Sequence, residues 1–316
     1  MTIVDWAGIA LLLDLCLGDP RWLPHPVRGL GVLIAFSERV LRAVFPKHEK
    51  IAGILLAGGV GLGTYGFCLG LVILSRKIAP FLSDGVQIVL IYYSMAPRDL
   101  ALHGWRVFRK LKERNLEGAK AKLSMMVGRD VALLDEKGVI RAAIESIAEN
   151  TVDGVVAPLF FAFVGGGPAA MAYRAVNTLD SMVGYREPPY TRFGWASARF
   201  DDLLNYFPAR LTAGIMPLTG CLFGGSVIRS YRVLRLDGRK HESPNAGLPE
   251  AAMSGLLGVQ LRGPQYYSGI CDNAPLIGLG ERRINRRDIL KAIGVMEVST
   301  FLVFILLALF HWLVFN

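Results

Sequence analysis

The 316-residue sequence predicts an all-α fold, namely a polytopic membrane helical bundle with interrupted helices and polar cytoplasmic helical loops. Composition is the first observation, since 53% of the residues are hydrophobic, only 19% are charged and the mean hydropathy is +0.40. A soluble domain carries about 25% charged residues. The second observation is a series of apolar stretches close to the roughly 20 residues that cross a bilayer. We therefore expect one integral membrane domain over 1–316, with a cytoplasmic helical insertion over 98–150.

The net charge of +9 has two readings. A basic protein can bind nucleic acid, but in so apolar a chain the excess of Lys and Arg indicates positively charged cytoplasmic loops. We expect contact with membrane lipid and no nucleic-acid partner. The four cysteines show neither CxxC nor metal-site spacing, so we infer neither a disulfide nor a zinc site.

The first third of the chain alternates apolar and polar segments. Residues 3–17 are apolar but short for a span, and the Pro- and Gly-rich stretch 18–31 predicts a rigid turn rather than a helix. An amphipathic helix is expected over 32–45. Residues 51–75 form the cleanest span, and the glycines within it predict close helix packing. Residues 78–96 predict a span or a re-entrant hairpin.

The rest of the chain continues the same alternation, and hydropathy allows four to six spans in all. A break in one apolar segment matters most, because interrupted membrane helices are tolerated where they line a site. The predicted elements are three short helices within 98–150, a span over 152–176 broken at 165–168, a polar loop and short helix over 186–207, a span over 208–228, a turn and helix over 241–263, and a final span over 293–315.

Three groups of acid and amide side chains flank the broken segment with helical spacings of three or four. That spacing puts each group on one helix face, where like charges repel and a cation would relieve the repulsion. Mg²⁺ takes one or two carboxylates together with phosphate oxygens and water. A single pair of this kind is more often a solvated face or a salt bridge. The groups are Glu145, Glu149 and Asp153; Asn177, Asp180 and Ser181; and Asp201, Asp202 and Asn205.

Arginines near these groups are candidate ligands for phosphate or carboxylate, because a guanidinium can bind such groups with two donors. The 18–31 turn reads either as a substrate loop or as an interfacial anchor beside the membrane. Asn245, before a helix expected near Pro249, reads as an anion ligand or a plain helix cap. The sequence has neither GxxxxGK[ST] nor GxGxxG, so ATP would need a non-standard site. The remaining candidates are Asp19, Arg21, His25, Arg28, Arg129, Arg174 and Arg199.

Six motifs stand in one order along the chain: LLLDLCLGDPRWLPHPVRGLG, SMMVGRD, RAAIESIAENTVDGVVAPLFF, YRAVNTLDSMVGY, FGWASARFDDLLNYFPARLT and SPNAGLPEAAMSGLLGV. Together they resemble the CbiB/CobD family of membrane-embedded adenosylcobinamide-phosphate synthases of cobalamin biosynthesis. The likeness covers most of the chain and is densest from 124 to 210.

The resemblance implies a reaction and a location. It implies an enzyme, a carbon–nitrogen ligase that uses ATP as co-substrate and Mg²⁺ as cofactor. Its corrinoid substrate is adenosylcobyric acid, whose carboxylate is joined to aminopropanol phosphate or a related amino-alcohol phosphate through an acyl phosphate. The resemblance further implies a multi-pass protein of the cell inner membrane, and the use of ATP implies that the active site faces the cytoplasm.

The resemblance also allows roles to be assigned as hypotheses. The metal ligands are Glu149, Asp153, Asp180 and Asp201; the phosphate and acyl-phosphate ligands are Arg129, Arg174 and Arg199; the base for the amine is Glu145 or Asp202; the oxyanion donor is Asn177; and the further substrate ligands are Asp19, Arg21, His25, Arg28 and Asn245.

Two other functions remain open at this point. One is a non-enzymatic inner-membrane signalling protein of a related family, although three intact acid–amide groups favour the enzyme. The other is a secondary transporter, for which broken helices and intramembrane acids are typical. A transporter of that type predicts an inverted repeat, and the sequence shows none.

Overall fold

The computed structural model describes residues 1–19, 25–185, 187–267 and 269–315. Helices dominate these residues, and they confirm the predicted all-α fold. In chain order the helices are α1 (Ile3–Leu17), α2 (Pro26–Val44), α3 (Glu49–Ile78), α4 (Pro80–Ser94), α5 (Pro97–Lys112), α6 (Leu116–Leu123), α7 (Glu136–Thr151), α8 (Ala157–Val183), α9 (Trp195–Leu204), α10 (Tyr206–Ile215), α11 (Val227–Asp237), α12 (Gly247–Leu257) and α13 (Arg287–Phe315). A hairpin of β1 (Pro264–Tyr267) and β2 (Ile270–Asn273) precedes α13.

Three helical stretches among the described residues are long and apolar enough to cross a membrane. They are α3 (Glu49–Ile78), the stretch Glu136–Val183 that contains α7 and α8, and α13 (Arg287–Phe315). They include the span predicted over 51–75 and the final span. The segment 208–228, predicted as a span, is not one continuous α-helix. α10 stops at Ile215, and Met216–Phe223 is a 3₁₀ helix with a proline at its start and a left-handed glycine, Gly224, at its end. Proline and left-handed glycine end regular helices, so hydropathy alone gave the wrong length there.

The predicted turn over 18–31 is also partly wrong, because α2 begins at Pro26. His25 is the N-cap residue, and its Nδ1 accepts a hydrogen bond from the backbone N–H of Val27 at 3.2 Å. Proline in the first helical turn loses no hydrogen bond, since the N–H groups there have no partner within the helix.

The helices are organised as two compact units. The first unit comprises Met1–Ala96, Asp153–Asn205 and Leu307–Asn316. Within it, α8 packs against α3 and α4, and a buried apolar core gathers around Ile34, Leu56, Leu179 and Phe193. The predicted single membrane domain and its insertion over 98–150 stay predictions.

The glycines of α3 pack closely only in part. A Cβ at Gly61 would lie 3.0 Å from Phe200 and 3.2 Å from Val176, so this glycine does permit close approach. A Cβ at any of the other predicted positions would meet nothing within 4 Å among the described residues; these are Gly58, Gly59, Gly63, Gly66 and Gly70.

The break predicted in the central apolar segment is present. Two residues of α8 leave helical geometry, Gly165 (φ −153°, ψ 27°) and Gly166 (φ 67°, ψ −161°). The backbone N–H of Gly167, left without a helical partner, donates to Gln87 Oε1 at 2.6 Å. A π-helical turn, Val152–Val156, follows α7 and precedes α8.

The second unit comprises Pro97–Val152 and Tyr206–Leu306. Its centre is α12, whose Gly247 and Pro249–Leu257 are buried, and which packs against α7, α10 and α11. The hairpin was not predicted. It pairs Pro264 with Asn273 and is tied to the segment before α7, because the N–H of Asp130 donates to the carbonyl of Tyr266 at 2.8 Å.

Candidate active site

The first unit holds a group of polar side chains that we call the carboxylate–amide cluster: Asp153, Tyr173, Asn177, Asp201 and Asn205. Asp201 is buried on α9, and its two oxygens accept from Asn177 Nδ2 at 3.3 Å and Asn205 Nδ2 at 2.9 Å. Asn205 Oδ1 in turn accepts from the hydroxyl of Tyr173 at 2.8 Å. Helical spacings of four, on α8 and from α9 into its C-cap, produce these contacts.

Asp153 joins this cluster through the π-helical turn. The Tyr173 hydroxyl lies 3.4 Å from the backbone carbonyl of Asp153, and the carboxylates of Asp153 and Asp201 are both charged neighbours of Tyr173. Single π turns inside helices are frequent at functional sites because they redirect side chains. Sequence reasoning did not assign Tyr173; its spacing of four from Asn177 was the available signal.

Arg174 links the cluster to the start of α2. Its charged neighbours include Asp19 and Asp153, and its Nε is buried without a hydrogen-bond partner among the described residues. His25 Nε2 lies 3.4 Å from Asp19 Oδ1. Three predicted substrate ligands are therefore brought together, namely Asp19, His25 and Arg174.

Arg28, Arg199 and Asp180 are further predicted residues of this unit. Arg28 is exposed on α2, and Arg21 lies outside the described residues. Arg199 has a side chain that is 64% exposed, with Nη1 3.8 Å from Asp202 Oδ2. Asp180 Oδ1 lies over Gly184, where an added Cβ would approach it to 1.9 Å.

The second unit holds a carboxylate–arginine cluster: Arg129, Glu145, Glu149, Glu250 and Arg262. Glu145 is fully buried; its Oε2 lies 2.7 Å from Arg129 Nη1, and its Oε1 accepts from the backbone N–H of Arg262. Glu250 Oε2 lies 3.7 Å from Arg262 Nη1. The charged neighbours of Glu149 are Arg129, Arg262 and Glu145. The cation expected beside Glu145 is thus a guanidinium.

The carboxyl groups of this cluster outnumber its guanidinium groups. Three carboxyl groups face two guanidinium groups, and the pKa of Glu250 is raised well above its ordinary value of 4.5 by burial and by the negative charges of Glu145 and Glu149. Glu250 Oε2 has no hydrogen-bond partner among the described residues. The raised pKa favours the protonated form of Glu250, whose O–H group can donate a hydrogen bond.

Sequence reasoning missed Glu250 and Arg262, because each is more than 100 residues from Glu145 and shares no local spacing with it. The helix cap predicted at Asn245 is wrong, whereas its role as an anion ligand stays a prediction. The helix begins at Gly247 with Ala246 as its N-cap, so Asn245 does not cap it. Asn245 is buried instead, and its Oδ1 accepts from Arg210 Nη1 at 3.2 Å.

The fit of these residues to Mg²⁺ can be judged from their chemistry. Among the described residues, no group of three or more His, Cys, Asp and Glu side chains could hold a metal ion by itself. Asp153, Asp201 and the neighbouring amides do offer hard oxygen ligands, which Mg²⁺ prefers. One or two carboxylates can hold Mg²⁺ when phosphate oxygens and water complete its coordination, so the chemistry of Asp153 and Asp201 suits a nucleotide-bound Mg²⁺. Both Asp201 oxygens accept amide N–H groups in this structure, and Mg²⁺ would have to replace one of these hydrogen bonds.

Fold and clusters together define a class: α-helical proteins that have helices long enough to span a membrane, an interrupted helix and buried clusters of ionisable groups. Groups of that kind usually face a cavity or a bundle interior and serve a site.

Comparison with known proteins identifies the family. A family model described as CobD/Cbib protein matches residues 7–296. The chain is 48% identical over 270 residues to cobalamin biosynthesis protein CobD of Geobacter metallireducens, covering 85% of this chain and 84% of the relative. It is 42% identical over 310 residues to CbiB of Salmonella typhimurium (97% of each chain) and 40% identical over 294 residues to CobD of Clostridium perfringens (93% of each). No solved structure matches. The chain belongs to the CobD/CbiB family.

Proposed function

We propose that this protein is an enzyme of cobalamin biosynthesis, an ATP- and Mg²⁺-dependent ligase that joins adenosylcobyric acid to aminopropanol phosphate or a related amino-alcohol phosphate. One observation carries the proposal. The motifs that resemble the CbiB/CobD family supply every member of the two buried clusters except Arg262. Residues far apart in sequence but grouped in space around buried charge are typical of a catalytic site.

The carboxylate–amide cluster is the proposed nucleotide end of the reaction. Asp153 and Asp201 would hold Mg²⁺ bound to ATP, and Asp180 is a further candidate in the same unit. Glu149 lies in the other unit and stays a separate candidate metal ligand. Bound Mg²⁺ would neutralise charge on the transferring phosphoryl group. Arg174 would bind a phosphate or acyl-phosphate oxygen, since its buried Nε still lacks an acceptor among the described residues.

The proton of the incoming ammonium group needs an acceptor. Both oxygens of Glu145 are already engaged, since Oε2 lies 2.7 Å from Arg129 Nη1 and Oε1 accepts from the backbone N–H of Arg262. Asp202 is partly exposed, and the guanidinium of Arg199 is 3.8 Å from its carboxylate. We therefore favour Asp202 as the base.

Purified protein in detergent, incubated with adenosylcobyric acid, aminopropanol phosphate, ATP and Mg²⁺, is expected to form the amide, detected by mass. Glu149→Gln and Asp180→Asn keep the size of each side chain and remove its charge. Each is expected to lower the rate by about 10²–10³-fold, the usual effect of losing one group that stabilises transition-state charge.

The matched control is Glu117→Gln, which removes the charge of an 81% exposed carboxylate and should leave the rate unchanged. Folding of each variant is checked by its melting temperature. If the wild-type protein forms no amide product, the ligase function is refuted, and the signalling and transport functions become the favoured hypotheses. Full activity in both charge-removing variants would remove their assignment.

A further inference from the structure

The second unit contains a basic surface pocket outside both clusters. Its volume is about 450 Å³, and its wall includes Lys137 and Arg141 from α7 and Glu281, Arg282 and Arg283 from the loop before α13. The sequence motifs discussed above leave this loop unassigned. We call this cavity the basic pocket.

Two of its charged residues are already neutralised. Glu281 Oε2 lies 2.5 Å from Arg229 Nη1, and Arg282 Nη2 lies 2.7 Å from Asp288 Oδ1. The other cations lining the pocket, Lys137, Arg141 and Arg283, form no ion pair with a carboxylate among the described residues. The pocket therefore has an excess of positive charge, which attracts an anion.

Arg141 makes this more than a group of surface cations. Its Nη1 donates to the backbone carbonyl of Arg262 at 2.8 Å, which fixes the guanidinium in place. Its Nε is buried and has no hydrogen-bond partner among the described residues. A buried N–H without an acceptor costs about 1–3 kcal/mol, and an oxygen of a bound ligand would remove that cost.

We propose that the basic pocket binds the phosphate group of a substrate, with Arg141 and Arg283 as the main donors and Lys137 as a supporting charge. The assignment to a substrate rests on the proposed ligase function. A guanidinium pair suits phosphate oxygens, and the volume has room for a small organic phosphate or a triphosphate.

The position of Arg141 connects this pocket to the proposed chemistry. Arg141 and Glu145 are four residues apart on α7, on one face and separated by about 6 Å along the helix axis. Arg262 contacts both, through its carbonyl to Arg141 and through its N–H to Glu145. A phosphate in the basic pocket thus lies beside the carboxylate–arginine cluster.

Two substrates carry such a group, the nucleotide and the amino-alcohol phosphate. Binding of ATP without Mg²⁺, of aminopropanol phosphate and of pyrophosphate to purified protein is measured separately by calorimetry. Arg141→Gln and Arg283→Gln are each expected to lower the affinity for the substrate whose phosphate binds in this pocket by about 10–100-fold, which is the effect of losing one charge-assisted hydrogen bond. Arg141→Lys should restore part of the loss. If the variants bind ATP or aminopropanol phosphate more weakly than the wild type does, that substrate is the one whose phosphate group occupies the basic pocket.

Arg235→Gln is the matched control, because Arg235 is an exposed arginine of α11 in the same unit and should bind as wild type. Arg283 is exposed, so its variant tests the pocket even where Arg141→Gln fails to fold. Wild-type affinity in Arg283→Gln and in the folded Arg141 variants, or an equal loss in Arg235→Gln, overturns the proposal. Wild-type protein that binds none of the three phosphates overturns it too. Amide synthesis is measured separately. If the protein binds phosphate in the basic pocket but forms no amide, the ligase function is refuted and the phosphate site stands. If the amide forms and the pocket variants bind every phosphate as the wild type does, only the phosphate site is refuted.

Discussion

Glu250 is a carboxyl group whose ionisation is set by its surroundings. It is buried on α12 with Glu145 and Glu149 as negative neighbours, and burial and these charges raise its pKa well above 4.5. Because the folded chain holds this proton to a higher pH than the unfolded chain does, ionising Glu250 opposes folding. The contribution is absent below the ordinary pKa and destabilises increasingly as the pH rises above it.

Glu250→Gln should therefore flatten the dependence of stability on pH. A single titrating group changes the free energy of unfolding by at most about 1.4 kcal/mol per pH unit. The difference in melting temperature between the variant and the wild type, measured in detergent, is expected to shift in favour of the variant as the pH rises from about 5 to about 8. The melting temperature of Glu117→Gln, which changes an exposed carboxylate, should differ from that of the wild type by the same amount at every pH in this range. A constant offset between Glu250→Gln and the wild type would contradict the assigned ionisation.

Individual residues were predictable where helical spacing puts several polar side chains on one face of a helix. Asn177 and Asp201 were found from spacings of three and four, and the structure joins them by a hydrogen bond. Glu250 and Arg262 were not, because only tertiary packing brings them to Glu145. No periodicity in one sequence reports a contact between α7 and the segment after α12.

At the scale of elements, the break in α8 depends on its glycines. Gly166 has φ +67° and ψ −161°, a conformation essentially restricted to glycine. An added Cβ there would lie 2.8 Å from Gln87 Oε1, the atom that accepts from the N–H of Gly167. The break is therefore held by backbone geometry and by one side chain of α4.

Gly166→Ala is expected to lower the free energy of unfolding by about 1–3 kcal/mol, through backbone strain and displacement of Gln87. The comparison is Gly63→Ala in α3, where a Cβ would meet nothing within 4 Å among the described residues. Alanine inside a helix gains about 0.5–1 kcal/mol over glycine, so Gly63→Ala should be neutral or stabilising. Thermal unfolding of both variants in one detergent measures the difference; equal melting temperatures would refute the role of Gly166.

Element boundaries show what a pattern of hydropathy can and cannot fix. Residues 51–75 were predicted as a span, and α3 covers them. Residues 208–228 have a similar composition, yet they form α10 and a 3₁₀ helix. Hydropathy measures transfer to an apolar phase and is blind to Pro217 and to the left-handed Gly224, which set where the helix stops.

For the whole molecule, the proposal requires the polar regions to face the compartment that contains ATP. Cys271 is exposed on β2, in the unit that holds the carboxylate–arginine cluster, whereas Cys68 is buried in α3. Each can be kept as the single cysteine of a variant and treated with a maleimide that does not cross membranes.

Cys271 is expected to react in inside-out vesicles and to resist the reagent in intact cells, because the basic regions favour the cytoplasmic side. Cys68 is the control and should resist the reagent in both preparations until the protein is denatured. Reaction of Cys271 in intact cells would place the hairpin on the outer side and would rule out a cytoplasmic active site.

The sequence alone determined the all-α class, the membrane-length helices and the acid–amide groups, because composition and local spacing express short-range physics: transfer to lipid and the period of the helix. Its motifs also pointed to the family. Only the tertiary structure decided which carboxylates share a guanidinium, which arginine keeps an unmet donor, and where a helix stops within an apolar run. The first two outcomes depend in part on contacts between segments more than 100 residues apart, and on the burial that such contacts create.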